Sequence, residues 1–423
     1  MIVASRSPLP LAPPMLFPAS DDDVPFDDAP RILLFTGKGG TGKTTCAAAT
    51  AQHAARQGHK TLVLSSDPAH SLADALDQEL GPEAREVRDR LFAQEVDLYY
   101  SMKKHWGHMR ELMLTVFRWQ GVDQIAAEEL AALPGMNEGS VLLWLEEALR
   151  EADYDLIVVD SAPTGETLTL LTLPQVTQWW LAKAFPFQKM AVKSLGFGVR
   201  KATGIPLDKG YEELEVIFEK LERVQQVLAT PSTTSIRLVT NPEKMVIEEA
   251  RRAFTYLQLY GYGVDSVVVN RVLPEEEVPA DSFFEGYVES QREYLEEIEQ
   301  SFRPLPILQV PHLGEEVFGA ERLGRIGDAM YAERNPTDVF YDEPTFTVEE
   351  DGDAYVLNLR LAFATEADVD VRQLGDQLVV QVANQRSNVI LPNFLNYYHM
   401  TNAALEEGWL RVRFTPDGEA SSN

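Results

Sequence analysis

The stretch Arg31-Ile-Leu-Leu-Phe-Thr36-Gly-Lys-Gly-Gly-Thr-Gly-Lys-Thr-Thr45 decides how the whole chain is read. Ile32 to Phe35 is a short apolar run, the pattern of a strand buried on both faces of a parallel sheet. It enters G-x-x-x-x-G-K-[ST], here Gly37, Gly42, Lys43 and Thr44, and the alanine-rich Thr45 to Ala55 that follows is a good helix former. Strand, glycine loop and helix in that order make a phosphate site. The glycines let backbone N–H groups approach the phosphates, and the helix N-terminus adds the positive end of its dipole. The expected cradle for ATP is Gly37, Lys38, Gly39, Gly40, Thr41, Gly42, Lys43, Thr44 and Thr45. Lys43 would reach the β/γ-phosphates, and the Thr44 hydroxyl would ligate Mg²⁺. A second lysine, Lys38, directly follows the first glycine. One lysine suffices for bound phosphates; a second is useful when a partner subunit supplies it across an interface, as an arginine finger does.

With 423 residues the chain is long enough for two or three domains. Its 45% hydrophobic content is ordinary for a soluble globular protein, and no stretch approaches the roughly 18 uninterrupted apolar residues of a membrane span. A net charge of −29 opposes nonspecific binding to nucleic acid or anionic membrane. Cys46 is the sole cysteine, so one chain can form neither a disulfide nor a thiolate zinc cluster, which fits a reducing cytoplasm. Residues 1–29, with five prolines between Pro8 and Pro18 followed by aspartate runs, read as a disordered leader.

From Arg31 the pattern alternates strand and helix. Strands are expected at Thr61–Ser65, Tyr154–Asp160, Ser235–Thr240, Ser266–Asn270 and Pro306–Val310, in an α/β doubly wound, mostly parallel sheet that binds ligands at its carboxyl ends. Two loop carboxylates fall at such ends. Asp160 closes an apolar strand, the position of a Walker B aspartate that holds Mg²⁺ directly or through water. Asp67 follows the second strand, where it can orient an attacking water. Phosphoryl transfer has a loose transition state, so positioning and charge placement carry most of the catalysis. The expected catalytic groups are Asp67, Lys38 and Lys43, with Thr44 and Asp160 as the Mg²⁺ ligands.

The loop variant K-G-G-x-G-K-[ST]-T resembles the deviant Walker A of the SIMIBI class, which implies a nucleotide-sandwich homodimer with Lys38 acting in trans. Within that class, Asp67-Pro-Ala-His-Ser-Leu72 resembles switch I, and Asp160-Ser-Ala-Pro-Thr-Gly-Glu-Thr-Leu168 resembles switch II, of ArsA/Get-type ATPases. Thr240-Asn-Pro-Glu-Lys-Met245 with Glu248-Glu-Ala-Arg251 is similar to a further family segment. Val267-Val-Val-Asn270-Arg271 resembles the strand whose asparagine reads adenine, and Val310-Pro-His-Leu-Gly-Glu-Glu316 the loop that closes over the base. The resemblance spans roughly 31–332 and so implies that Asn270 and Pro311 bind the nucleotide. Departures are equally informative. Arsenite pumps bind metalloid through clustered cysteines, tail-anchored-protein targeting factors use a C-x-x-C zinc clasp, and neither is present. Glu166 stands where many relatives carry histidine.

Met102, Trp106, Met109, Met113, Val116 and Phe117 recur at helical spacing. Trp179 to Phe197 is a second apolar-rich stretch, and Tyr211, Leu214, Phe218 and Leu221 make a third stripe. These faces either pack as core or line a groove for apolar partners. In the targeting ATPases such helices hold a hydrophobic client, so 101–135 and 175–230 are the expected client-binding subregion of an ATPase domain over 30–332. Residues 333–344, with proline near both ends, read as a linker. The short alternating strands of 345–415 read as an all-β sandwich resembling the small heat-shock (α-crystallin-like) domain, followed by a polar tail at 416–423. The expectation is a cytoplasmic, ATP-hydrolysing, homodimeric chaperone or targeting factor for hydrophobic client polypeptides, with no nucleic-acid partner and at most transient membrane contact. The alternative is a MinD/ParA-like nucleotide-gated switch.

Overall fold

The computed structural model describes residues 29–67, 71–105, 136–151, 153–173, 207–275, 282–375, 377–391, 394–395 and 398–416. Most of the two expected client stretches, 106–135 and 174–206, lies outside them, as do Pro68, Ala69 and His70.

The apolar run ahead of the glycine loop forms β1 (Arg31–Gly37), and its side chains alternate between two cores. Leu33 and Phe35 join Ala47, Ala48, Ala51 and Ala54 of α1 (Lys43–Arg56), whereas Ile32 and Leu34 face the opposite layer. The small side chains of α1 let it lie close to the sheet. Further strands are β2 (Thr61–Ser65), β3 (Arg85–Arg88), β4 (Leu91–Glu95), β5 (Leu156–Asp160), β6 (Thr234–Thr240), β7 (Val264–Val272) and β8 (Ile307–Pro311). They form one eight-stranded sheet in the order β3-β4-β2-β5-β1-β6-β7-β8, parallel except for the edge strand β3. From β1 the chain moves outward through β2, returns through β5, and then crosses to β6 on the other side. The loops after β1, β2 and β5 therefore open into one cleft at the switch point.

Helices α2 (Ser71–Leu76), α3 (Leu98–His105), α4 (Met136–Glu151), α5 (Leu207–Ala229), α6 (Lys244–Leu259), α7 (Ser282–Ser301) and α8 (Gly319–Tyr331) complete the layers. Gly327 of α8 faces Ala49 and His53 of α1 so closely that a Cβ there would meet the Ala49 carbonyl at 3.0 Å. Of the expected apolar stripes, Met102 in α3 is buried, and Leu221 in α5 is buried with Phe218 packed against the same core. These three residues are core.

The expected linker is a strap. Arg237, fully buried in the central strand β6, lies 3.3 Å from Asp265 of β7, donates to Tyr331 Oη at 2.7 Å and to the Pro336 carbonyl at 2.8 Å. Its guanidinium stacks over the Phe340 ring at 4.6 Å. Arg31 donates to the Thr337 carbonyl at 3.1 Å. A charge in a central strand is tolerated because every arm of the guanidinium has a partner.

Beyond the strap, β9 (Phe346–Asp351), β10 (Ala354–Arg360), β11 (Val369–Leu374), β12 (Gln377–Val382), β13 (Gln385–Ile390), β14 (Tyr398–Glu406) and β15 (Trp409–Pro416) build a sandwich of a four-stranded sheet, β14-β15-β10-β9, and a three-stranded sheet, β11-β12-β13. The sandwich is docked on α6. Leu259 enters its core, the Ala362 N–H donates to Gln258 Oε1 at 3.0 Å, and the Tyr260 hydroxyl donates to Gln385 at 2.8 Å. Phe363 packs against Phe254 and Phe302, with ring centroids 6.0 and 5.5 Å apart.

Asp265→Ala leaves the Arg237 guanidinium buried without its counter-charge and is expected to cost about 3 to 5 kcal/mol. Removing the exposed Glu406 from its pair with Arg411 costs at most about 1 kcal/mol. Urea titrations of the two variants check the contrast; equal losses would contradict it.

Candidate functional site

The glycine loop folds as its spacing requires. Gly37, Gly40 and Gly42 take φ of 153°, 79° and 91°, and Gly42 is the N-cap of α1. A Cβ on Gly37 would meet the Val239 carbonyl at 2.2 Å, and one on Gly42 would meet the Asn270 amide nitrogen at 2.1 Å. Glycine is therefore demanded by backbone contact at Gly37 and by its left-handed dihedral at Gly42. Gly39 faces Pro163 of the loop after β5.

Inside the loop, the Thr41 hydroxyl donates to the Lys38 carbonyl at 2.8 Å and the Lys43 ammonium donates to the same oxygen at 3.3 Å. Lys43 is buried, and desolvation lowers its pKa against the opposing pull of Asp160, Asp67, Glu166 and Glu249. A lysine so placed is a partly dehydrated cation surrounded by carboxylates, poised for a polyanion. Lys38 does not fold into the cradle; its ammonium lies 3.6 Å from Glu249 of α6, and its side chain is 34% exposed.

The two loop carboxylates converge on the start of α1. Asp160 is fully buried at the end of β5, in register with Ser65 of β2, whose hydroxyl donates to Asp160 Oδ2 at 3.0 Å. Its Oδ1 is buried without a hydrogen bond among the described residues. Burial raises the Asp160 pKa to about 6 even though the Thr44 and Ser65 hydroxyls and the Lys43 charge oppose the shift. Across the site, Ser71 bridges: its hydroxyl donates to Asp67 Oδ2 at 2.8 Å and lies 3.1 Å from the Thr44 hydroxyl. The Asp67 N–H in turn donates to Ser65 Oγ at 3.2 Å.

This donor set fits Mg²⁺. A buried carboxylate oxygen without a partner and a neighbouring threonine hydroxyl are hard oxygen ligands, and Mg²⁺ characteristically takes one or two carboxylates with the remainder from phosphate and water. Among the described residues no cluster of three or more His, Cys, Asp or Glu forms an all-protein metal site. Cys46 is buried and its thiol is pushed up to about 12, so it offers no thiolate.

Asn270, at the carboxyl end of β7, donates to the Thr41 carbonyl at 2.8 Å, so the structure brings it onto the glycine loop. Pro311 stands farther out, at the end of β8 in register with Val272. Thr45 lies in the first turn of α1. Sequence reasoning left Ser65, Ser71 and Glu249 without roles. Ser65 was within reach as the strand-end residue facing Asp160, but the Glu249 contact depends on how α6 is placed.

A model of the anion-transporting ATPases, ArsA, matches residues 30–332. The chain belongs to the ArsA ATPase family. A second model, the HSP20-like domain found in ArsA, matches residues 352–414 within the sandwich. A relative from Prosthecochloris vibrioformis, named "Putative arsenical pump-driving ATPase", is 39% identical over 389 residues, covering 91% of this chain and 96% of its own. A relative of the same name from Chlorobaculum tepidum is 38% identical over 389 residues, with the same coverage. The ATPase get3 of Pyrenophora tritici-repentis is 29% identical over 316 residues, 71% of this chain and 91% of its own. As an ArsA-family member the chain is a P-loop ATPase, and the cradle, Lys43 and the two carboxylates are where its nucleotide chemistry is to be sought. No helix among the described residues is long and apolar enough to cross a membrane.

Asp160→Asn separates stability from activity. A folded pKa raised from 3.8 to about 6 means the wild-type carboxylate imposes no penalty below pH 3.8 and its full penalty once pH has risen past about 6. The variant is expected to stabilise the nucleotide-free protein by up to about 3 kcal/mol at pH 7 to 8 and by nothing near pH 4. At the same time it loses Mg²⁺-dependent hydrolysis. Denaturant titrations across pH, beside an ATPase assay, check both; destabilisation at pH 8 would contradict the assignment.

Proposed function

We propose that the chain is a homodimeric, cytoplasmic ATPase whose nucleotide state governs the display of an apolar surface for hydrophobic client polypeptides. The observation that carries the reading is the division of labour between the two loop lysines. Lys43 turns into its own cradle, whereas Lys38 projects to a partly exposed rim where the phosphates of a second copy can reach it. Backbone amides and Lys43 bind the triphosphate, Thr44 and Asp160 would hold Mg²⁺, which supplies charge neutralisation at the phosphates, and Asn270 and Pro311 border the base. Asp67, oriented by Ser71, aligns the attacking water. Lys38 of the second copy neutralises charge that develops on the transferred group.

Two observations favour a client role over a metalloid one. The sole cysteine is buried and protonated, unlike a soft-metal ligand. Tyr99, at the start of α3, is 76% exposed and Val216 of α5 is 50% exposed, so apolar side chains reach solvent beside and within the expected client subregion.

The Asp67→Asn chain, loaded with ATP to hold the uncleaved state, is expected to capture an apolar helical peptide. It should capture neither anionic vesicles nor duplex DNA. Sedimentation with each probe measures this; capture of vesicles or DNA without peptide would overturn the proposal in favour of a partitioning-type switch.

A further inference from the structure

Lys38 has a partner within its own chain. Its ammonium lies 3.6 Å from Glu249, and the two side chains are 34% and 31% exposed. Glu249 sits in the second turn of α6 and reaches the glycine loop at Lys38, on the rim of the nucleotide cleft. A carboxylate there repels a bound triphosphate unless it has another task. One turn earlier on the same helix face, Met245 is 74% exposed. The rim of the glycine loop thus carries a partly exposed ion pair, with an exposed apolar side chain one helical turn away.

We propose that Glu249 is a positioning residue for Lys38. Within one chain it holds the ammonium at the rim of its own glycine loop, and the phosphates bound by a second copy take that ammonium over. The inference rests on the two-copy reading above. An ion pair whose two side chains are each about one-third exposed is weak, and a triphosphate can displace it. The pair also sets a threshold: assembly must supply more negative charge than one carboxylate, so ATP meets it better than ADP. Glu249 belongs to the helix whose far end grips the sandwich through Gln258, Leu259 and Tyr260, so the exchange occurs at one end of a rod attached to the second domain.

The test uses the full chain and Mg²⁺–ATP, measuring dimer fraction by sedimentation velocity together with kcat and KM. Glu249→Gln is expected to lower both KM and the ATP concentration for half-maximal dimer by about two- to fivefold, the exchange value of such a pair. Glu249→Asp should return both toward wild type. In a Lys38→Ala background Glu249→Gln should leave the dimer fraction unchanged, and any gain in ATP affinity, from removing one negative charge at the cleft, should fall short of the shift seen with Lys38 present. Unchanged values for Glu249→Gln alone, or the same shift without Lys38, would overturn the inference. If Lys38→Ala itself leaves hydrolysis and assembly intact, the two-copy reading fails. If Lys38→Ala impairs them while Glu249→Gln does nothing, only the role of Glu249 fails.

Discussion

The rest of the site depends on a carboxylate that the fold has only half satisfied. Asp160 lies at the end of a fully buried strand, with one oxygen held by Ser65 and the other without a hydrogen bond among the described residues. Such a group is costly in a protein interior and persists where the surrounding structure leaves no alternative. Here β5 is locked between β1 and β2, and the next residue, Ser161, bonds the Phe35 carbonyl and the Thr167 hydroxyl. Thr36 reaches the same Thr167 hydroxyl. This knot of hydroxyls ties the loop after Asp160, and the helical segment at 164–173, to the strand that carries the glycine loop. A cation placed beside Asp160 is therefore placed beside Thr44 as well.

The same economy explains the second domain. The strap at 333–344 is held at the amino-terminal side of the sheet by Arg31, Arg237 and Asp265, and the sandwich that follows is clasped by α6. Buried charge, usually a poor source of stability, serves here to fix one chain path against the others. The result is a continuous set of contacts from the P-loop rim at Glu249 to the core of the sandwich at Leu259.

Much of this was legible from residue patterns. The run Ile32–Phe35, the glycine spacing and the two strand-end aspartates specify a phosphate site because each satisfies a local rule of backbone geometry or burial. What was not legible was long-range. Arg85–Arg88 and Leu91–Glu95 mix polar and apolar residues without clean alternation, so β3 and β4 carry no strand signal; β3 shows itself only as an antiparallel edge. Strand β14 contains Asn402, Ala403 and Ala404, poor strand formers that the neighbouring β15 holds in place. The residues 333–344 looked like a linker because their prolines and polar groups say nothing of a buried arginine arriving from a strand a hundred positions earlier. Ser71 and Glu249, quoted within motifs, had no individual role for the same reason: a hydroxyl or a glutamate acquires one only from what lies across the cleft.

In the proposed mechanism one triphosphate is acted on by residues of two chains. Mixing Lys38→Ala protein with Asp67→Asn protein, each expected to be inactive alone, measures this most directly. In a mixed pair, one site keeps its own Asp67 and receives Lys38 from the other chain, so ATP hydrolysis is predicted to reappear on mixing and to rise with the fraction of mixed pairs. No recovery, with mixed pairs shown to form, would place Lys38 at the nucleotide of its own chain and contradict the account.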